Sequence, residues 1–307
     1  MPSEQPGALA PEAIILGCGY CGQELARRLM SQGVKVWATV RGPGGQRGQA
    51  LAAAGVNVVA WEIGAGPPVL PESIEGPLDV VYSVPTLSGE GDHLAPVRGA
   101  LEAMSAWPVR AVVYWSATSV YGSSDGQSVD EQTPLAPSTA RGQRRAESEA
   151  LFFEVGKAQG WRVMSARMPG IYGPGRTIIG RLLKGQFVLV DGGQKWSARV
   201  HRDDVAMGTE ALLRDGAPGQ PYILTDGQSF QVREMVSWLL EQAPSIPAPS
   251  VMSLEDYAKE RPYAASFWRN SNRYSNGAIA ALPGFSLVYP SYREGLGAEL
   301  SALGLRQ

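Results

Sequence analysis

Apolar residues in the first half of the chain fall into short continuous runs, separated by stretches in which they recur at helical spacing. The runs "AIIL" (13–16), "VKVWATV" (34–40), "VNVVAW" (56–61), "DVVYSV" (79–84), "VRAVVYWS" (109–116) and "WRVMSAR" (161–167) predict buried strands. Between them, "CGQELARRLMSQG" places apolar residues on one helical face and stops at Gly33, and "LAPVRGALEAMSAW" reads similarly. Strands alternating with helices predict β-α-β units and an α/β fold built on a doubly wound parallel sheet. Past Arg167 the pattern breaks into Gly/Pro-rich turns such as "MPGIYGPGRT" and shorter, less regular elements. These predict a smaller C-terminal lobe over the ligand edge of the sheet. The expected division is 12–170, with 200–226 returning to it, for the sheet domain, and 171–199 with 227–303 for the lobe. The proline-bearing stretch "EQAPSIPAPSVMS" (241–253) predicts a long surface connection.

The first strand runs directly into "LGCGYCGQELARRL", a G-x-G-x-x-G between strand and helix. Gly17 permits the tight turn, Gly19 lets backbone approach a pyrophosphate, and Gly22 lets helix and strand pack closely. Tyr20 and Cys21 fill the same loop and belong to the same expected site. The end of the second strand then chooses between cofactors. An NAD site places Asp or Glu about 20 residues on, for the ribose 2′-hydroxyl, whereas a 2′-phosphate is met by arginine. Here the chain reads Val40-Arg41, with Arg47 behind. NADP(H) is the expected cofactor, with NAD(H) the alternative if Arg41 is only a solvated loop charge.

Composition narrows the classes further. In 307 residues, 44% hydrophobic and 18% charged, the chain has the balance of a compact domain, and a net charge of −2 provides no electrostatic footprint for nucleic acid. No apolar run reaches the ~18 residues of a membrane span, and "MPSEQPGALAPE" reads as a short floppy lead without the basic-then-apolar order of a signal peptide. A cytoplasmic location, a small-molecule substrate and a possible homo-oligomer are the resulting expectations. The two cysteines, Cys18 and Cys21, form a C-x-x-C, but the two histidines, His93 and His201, are far from it in sequence. Two small residues in a glycine-rich turn is the preferred reading, with no metal site expected.

The stretches "WSATSVYG" (115–122), "DEQTPLAPS" (130–138), "ARMPGIYGPGR" (166–176), "VHRDDVA" (200–206) and "YPSYREGL" (289–296) come in an order and spacing that resemble the extended short-chain dehydrogenase/reductases, the NAD-dependent epimerase/dehydratase family. The resemblance spans nearly the whole chain. It implies a Rossmann domain and a smaller lobe with substrate in the cleft between them. Carried over by position, it sets Glu62 and Ile63 near the adenine, Val84 and Pro85 near the ribose, and Pro169 and Ile171 beside the nicotinamide. Asp203 and Asp204 would cap a helix and tie the lobes together, and His201 would make a structural hydrogen bond rather than donate a proton.

Two departures stand out. "LGCGYCG" replaces T-G-x-x-G-x-x-G, but keeps the three glycines that have a physical task. More seriously, the family's Ser/Thr, Tyr and Lys positions read Ala117, Arg141 and Arg145, followed by Glu149. The family tyrosine moves the carbinol proton, the lysine lowers its pKa and holds the ribose, and the hydroxyl orients the carbonyl. Arginine stays protonated to above about pH 12, so Arg141 is no acid or base there. Arg145 could still bond a ribose hydroxyl. Ser116, Thr118 and Tyr121 remain as catalytic candidates, Ser116 also as a cofactor contact, with a ring packed under the loop as the preferred reading of Tyr121.

The leading expectation is an atypical NADP(H)-dependent oxidoreductase with its proton from solvent, Tyr121 or substrate. A non-catalytic dinucleotide-binding or sensor protein is the alternative, and a nucleotide-sugar epimerase/dehydratase the second. Arg141, supported by Arg145, is expected to bind an anionic group of a substrate or regulatory ligand, since guanidiniums at i and i+4 share one helix face. A surface network with Glu147 and Glu149 is the competing reading.

Overall fold

The computed structural model describes residues 7–69, 71–74, 76–87 and 91–306. The chain runs through β1 (Glu12–Leu16), α1 (Tyr20–Ser31), β2 (Lys35–Val40), α2 (Gln46–Ala53), β3 (Asn57–Ala60), β4 (Leu78–Tyr82), α3 (Ala95–Met104), β5 (Val109–Ala117), α4 (Ala140–Gln159) and β6 (Arg162–Met168). It continues through β7 (Gly170–Tyr172), α5 (Ile178–Leu183), β8 (Arg199–His201), α6 (Arg202–Asp215), β9 (Gln220–Ile223) and α7 (Val232–Gln242), and its last helix is Tyr292–Ala302. Seven strands form one parallel sheet in the order β9-β6-β5-β4-β1-β2-β3. The chain winds outward from β1 in one direction and from β4 in the other. The switch point of this Rossmann-type α/β fold therefore lies between β1 and β4, where a crevice opens at the C-terminal strand ends.

Alternation along the strands supplies both faces. Ile15, Val81, Val113 and Ala166 pack with Leu25, Leu29 and Leu212 of α1 and α6. Ile14, Val80 and Val112 pack on the other side with Val97, Leu101 and Phe152 of α3 and α4. Each of these buried Val, Leu, Ile and Phe side chains contributes roughly 1.5–3 kcal/mol relative to exposure. Inside the sheet, Asp79 takes a bidentate pair from Arg110 (2.8 and 2.7 Å) and the Ala10 N–H at 3.0 Å. Burial pushes this carboxyl up, against the opposing pull of Arg110. The contact pins part of the lead expected to be floppy, and its first six residues lie outside the described ones.

The C-terminal lobe has its own core, including Ile179, Leu182, Phe187, Met235, Leu239, Tyr292 and Leu300. Chain crosses between sheet and lobe at the Met168–Gly170 step, again through β8 into α6, and again after β9. β7 and β8 pair in parallel, with Ile171 opposite Val200 and Tyr172 opposite His201. Asp204 fastens this join by accepting the backbone N–H groups of Val288 (2.6 Å) and Tyr289 (3.2 Å). The segment 241–253, expected to be one long connection, instead gives up Ser250–Met252 to a strand paired with Val188–Val190. Among the described residues no helix is long and apolar enough to cross a membrane.

Candidate functional site

The glycine loop folds as its spacing demands. Gly17 has φ +82°, a left-handed conformation, and a Cβ on it would lie 3.0 Å from Val84 across the switch point. Its N–H donates to the Thr39 hydroxyl (2.8 Å), locking the turn to β2. At Gly19 a Cβ would meet only the loop's own Gly17 carbonyl, 3.9 Å away, so this backbone is open to a ligand. At Gly22 it would press on Cys18 Sγ (3.1 Å) and Ile15 (3.3 Å), the close helix-on-strand contact. No side chain caps the start of α1, which leaves its backbone donors and positive dipole end for a phosphate. Cys18 and Cys21 are free and buried, and burial pushes their thiols to about 12 and about 11. The Tyr20 hydroxyl donates to the Pro174 carbonyl at 3.1 Å, joining the glycine loop to the lobe.

Around the crevice, Arg41 is 79% exposed just past β2, and its guanidinium lies 3.9 Å from Glu62, itself 56% exposed. Ile63, Val84, Pro85 and Arg145 line one narrow cavity between β3, β4 and α4. Pro169 stands between β6 and β7, and Ile171 lines a larger cavity in the lobe. The residues expected along a dinucleotide thus follow the C-terminal edge of the sheet, and the loop, the uncapped helix and the exposed Arg41 fit such a group.

The proton-handling candidates are placed differently. Ala117 ends β5, and the Thr118–Val120 turn follows it. Thr118 is 8% exposed in this turn. Tyr121 does not open on the crevice: it is 4% exposed, packed with Val129 and Ile223, and accepts from Arg167 Nη1 at 2.6 Å. Burial pushes its hydroxyl up to about 12, against the Arg167 charge. The placement is that of a packed ring and not of a donor facing the crevice. Ser116 is 4% exposed, and its hydroxyl has no partner among the described residues.

Arg141 and Arg145 of α4 also part company, which corrects the expectation that they act together. Thr139 caps the helix by accepting the Gly142 N–H at 3.0 Å. A Cβ at Gly142 would lie 2.5 Å from the Ser119 carbonyl, so the helix presses against the turn after β5. One turn inside, Arg145 is 7% exposed and donates to the Trp115 carbonyl (2.8 Å) and Tyr114 hydroxyl (3.2 Å). Arg141 is exposed and donates to the Tyr263 hydroxyl at 2.8 Å. Neither expected acid neutralises them. Glu149 is buried against Arg167 and accepts from Ser165 (2.7 Å), while Glu147 pairs with His93 and Gln143. His201 Nδ1 accepts the Asp203 N–H at 3.2 Å at the start of α6, and burial lowers the pKa of its ring.

Sequence reasoning missed Arg167 and Arg199. Arg167 is a charge at a strand position where alternation demands burial, which is the signal that could have marked a paired ion. Nothing local marks Arg199.

Fold and loop together define a dinucleotide-binding α/β protein of Rossmann type. A sequence profile described as the NAD dependent epimerase/dehydratase family matches residues 91–224. The chain is similar to a functionally unknown conserved protein from Silicibacter pomeroyi DSS, with 30% identity over 96% of this chain and 99% of that one, and a TM-score of 0.79. It is 27% identical, over 73% of its length and 71% of the relative's, to 4-hydroxy-2-methyl-3-oxo-4-farnesyl-3,4-dihydroquinoline-1-oxide ketoreductase of Stigmatella aurantiaca. A UDP-glucuronic acid 4-epimerase from Bacillus cereus, solved with NAD, shares the fold: TM-score 0.74 at 16% identity, covering 95% of this chain and 98% of that one. The chain belongs to the NAD-dependent epimerase/dehydratase family.

Proposed function

We propose that the protein is an NADP(H)-dependent oxidoreductase acting on a small molecule by a route that does not use the family's hydroxyl-bearing pair. The observation that carries this reading is Arg41, exposed just past β2, where the end of the strand reads Val40-Arg41 in place of an acid. A bound nicotinamide supplies hydride chemistry, and the protein's task is to hold and orient it. Gly17, Gly19 and Gly22 admit the pyrophosphate, with Tyr20 and Cys21 in the same loop. Arg41 meets the 2′-phosphate, Glu62 and Ile63 border the adenine, Val84 and Pro85 the ribose, and Pro169 and Ile171 the nicotinamide. Arg145 acts through the β5 carbonyl that it holds, as a positioning residue. Similarity to a named ketoreductase supports reduction of a carbonyl, and similarity to a dTDP-glucose 4,6-dehydratase supports the second reading, a nucleotide-sugar epimerase/dehydratase.

NADPH should bind about tenfold or more tightly than NADH, the value of one charge-assisted contact. Titration of both cofactors against tryptophan fluorescence measures this, and Arg41→Ala should remove the difference. Equal affinities in the unsubstituted protein would remove the basis of the cofactor assignment.

A further inference from the structure

A cavity of about 420 Å³ lies in the C-terminal lobe beside β7, and three of its lining residues are arginines: Arg176, Arg181 and Arg199. Among the described residues no carboxylate lines it. Arg176 and Arg181 are exposed at the rim, where their guanidiniums lie 5.6 Å from the Tyr20 ring and 5.3 Å from the Phe187 ring. Arg199 is more enclosed, at the head of β8. Among the described residues its guanidinium makes no hydrogen bond or ion pair, although it feels the charges of Asp226 and Arg181. Burial raises the Asp226 carboxyl to about 7, so it offsets Arg199 only in part at neutral pH.

The backbone is shaped around this arginine. A Cβ at Gly170 would lie 2.0 Å from Arg199 Nη1 and 3.0 Å from its Cζ, so only glycine leaves the guanidinium its seat. A second polar group is also unmatched: Tyr292 lines the cavity, is 1% exposed, and its hydroxyl has no partner among the described residues. Positive charges held together in a partly dry cavity repel unless something negative lies among them, and an unmet buried hydroxyl forfeits a hydrogen bond.

We propose that this cavity binds an organic anion, its phosphate or carboxylate group held by Arg199 with Arg176 and Arg181, and its apolar part against Phe187, Met235 and Leu296. Guanidiniums recognise both groups through paired N–H donors, and Tyr292 adds a neutral donor. The volume suits a small metabolite. Ile171 lines the same cavity, so on the cofactor-dependent reading above, on which this last step rests, the anion is the substrate.

The test is calorimetric titration of the full chain with inorganic phosphate and, separately, with succinate, before and after addition of NADP⁺. Binding of at least one anion that persists with NADP⁺ present is expected, and Arg199→Met should weaken it about tenfold or more. Gly170→Ala, which unseats the same guanidinium, should act in the same direction. Tighter phosphate assigns a phosphoryl group, and tighter succinate a carboxylate. Should Arg199→Met fail to fold, protection of Arg199 from phenylglyoxal by the anion in the unsubstituted protein, read by peptide mass spectrometry, replaces it. No binding of either anion, or affinity unchanged in both variants, overturns the site. Failure of NADP⁺ to bind while the anion does removes the cofactor reading and leaves the anion site standing.

Discussion

Simple ketones, aldehydes and secondary alcohols should be turned over some 10²–10⁴-fold more slowly than by a protein with a positioned acid, even with NADP(H) bound, because that is what general acid–base assistance contributes. Ala117 has no polar side-chain atom and Arg141 cannot release a proton near neutrality. The structure adds that two of the neighbouring hydroxyls are enclosed, which leaves Ser116, buried and without a partner among the described residues, as the remaining one. Thr118 is buried in the turn after β5, and Tyr121 is packed under Arg167 with its hydroxyl pushed up to about 12. Following NADPH absorbance across a broad carbonyl panel, with cofactor binding checked separately, measures the deficit. Efficient turnover of an uncharged ketone would show that the acid is a residue not identified above. Substrates that protonate from solvent, or that bring their own acidic group, are the ones expected to react.

The second large effect is on stability. Glu149 and Arg167, 2% and 4% exposed, form an ion pair joining α4 to β6, with Ser165 and Tyr121 completing the network. Glu149→Ala leaves a guanidinium buried without its counter-charge, which costs about 3–5 kcal/mol. Urea denaturation of the two proteins should resolve this directly. The double substitution Glu149→Leu with Arg167→Met should recover much of the loss, because it removes both charges together. A single-substitution effect below about 1 kcal/mol would mean that water reaches the pair.

Six strands of the sheet were readable as apolar runs, and each formed within a few residues of its expected bounds. The seventh, Gln220–Ile223, is four residues long and contains Pro221. Such a strand is tolerated because it lies at the sheet edge, and it has too little pattern to read. The glycine loop was legible for a local reason: its function is backbone shape, and shape follows from which positions lack a Cβ. The arginines were not. Arg145 and Arg141 are alike in sequence context, yet one reaches a β5 carbonyl 30 residues away and the other a tyrosine 122 residues away. A long side chain's direction is set by partners that only the folded topology brings near. Arg199 is the extreme case, since what seats it is the missing side chain of Gly170 on a different strand.

The join between sheet and lobe bears on how molecules enter and leave. Chain passes between them at three places, β7 and β8 are bonded to each other, and Asp204 clamps the backbone at Val288 and Tyr289. A body attached by several short strands and a buried clamp slides by small amounts; it does not swing like a jaw. On the anion site proposed above, an entering molecule would then pass the mouth that already exists, at the Arg176 and Arg181 rim, and selection would fall on whatever fits through a fixed doorway.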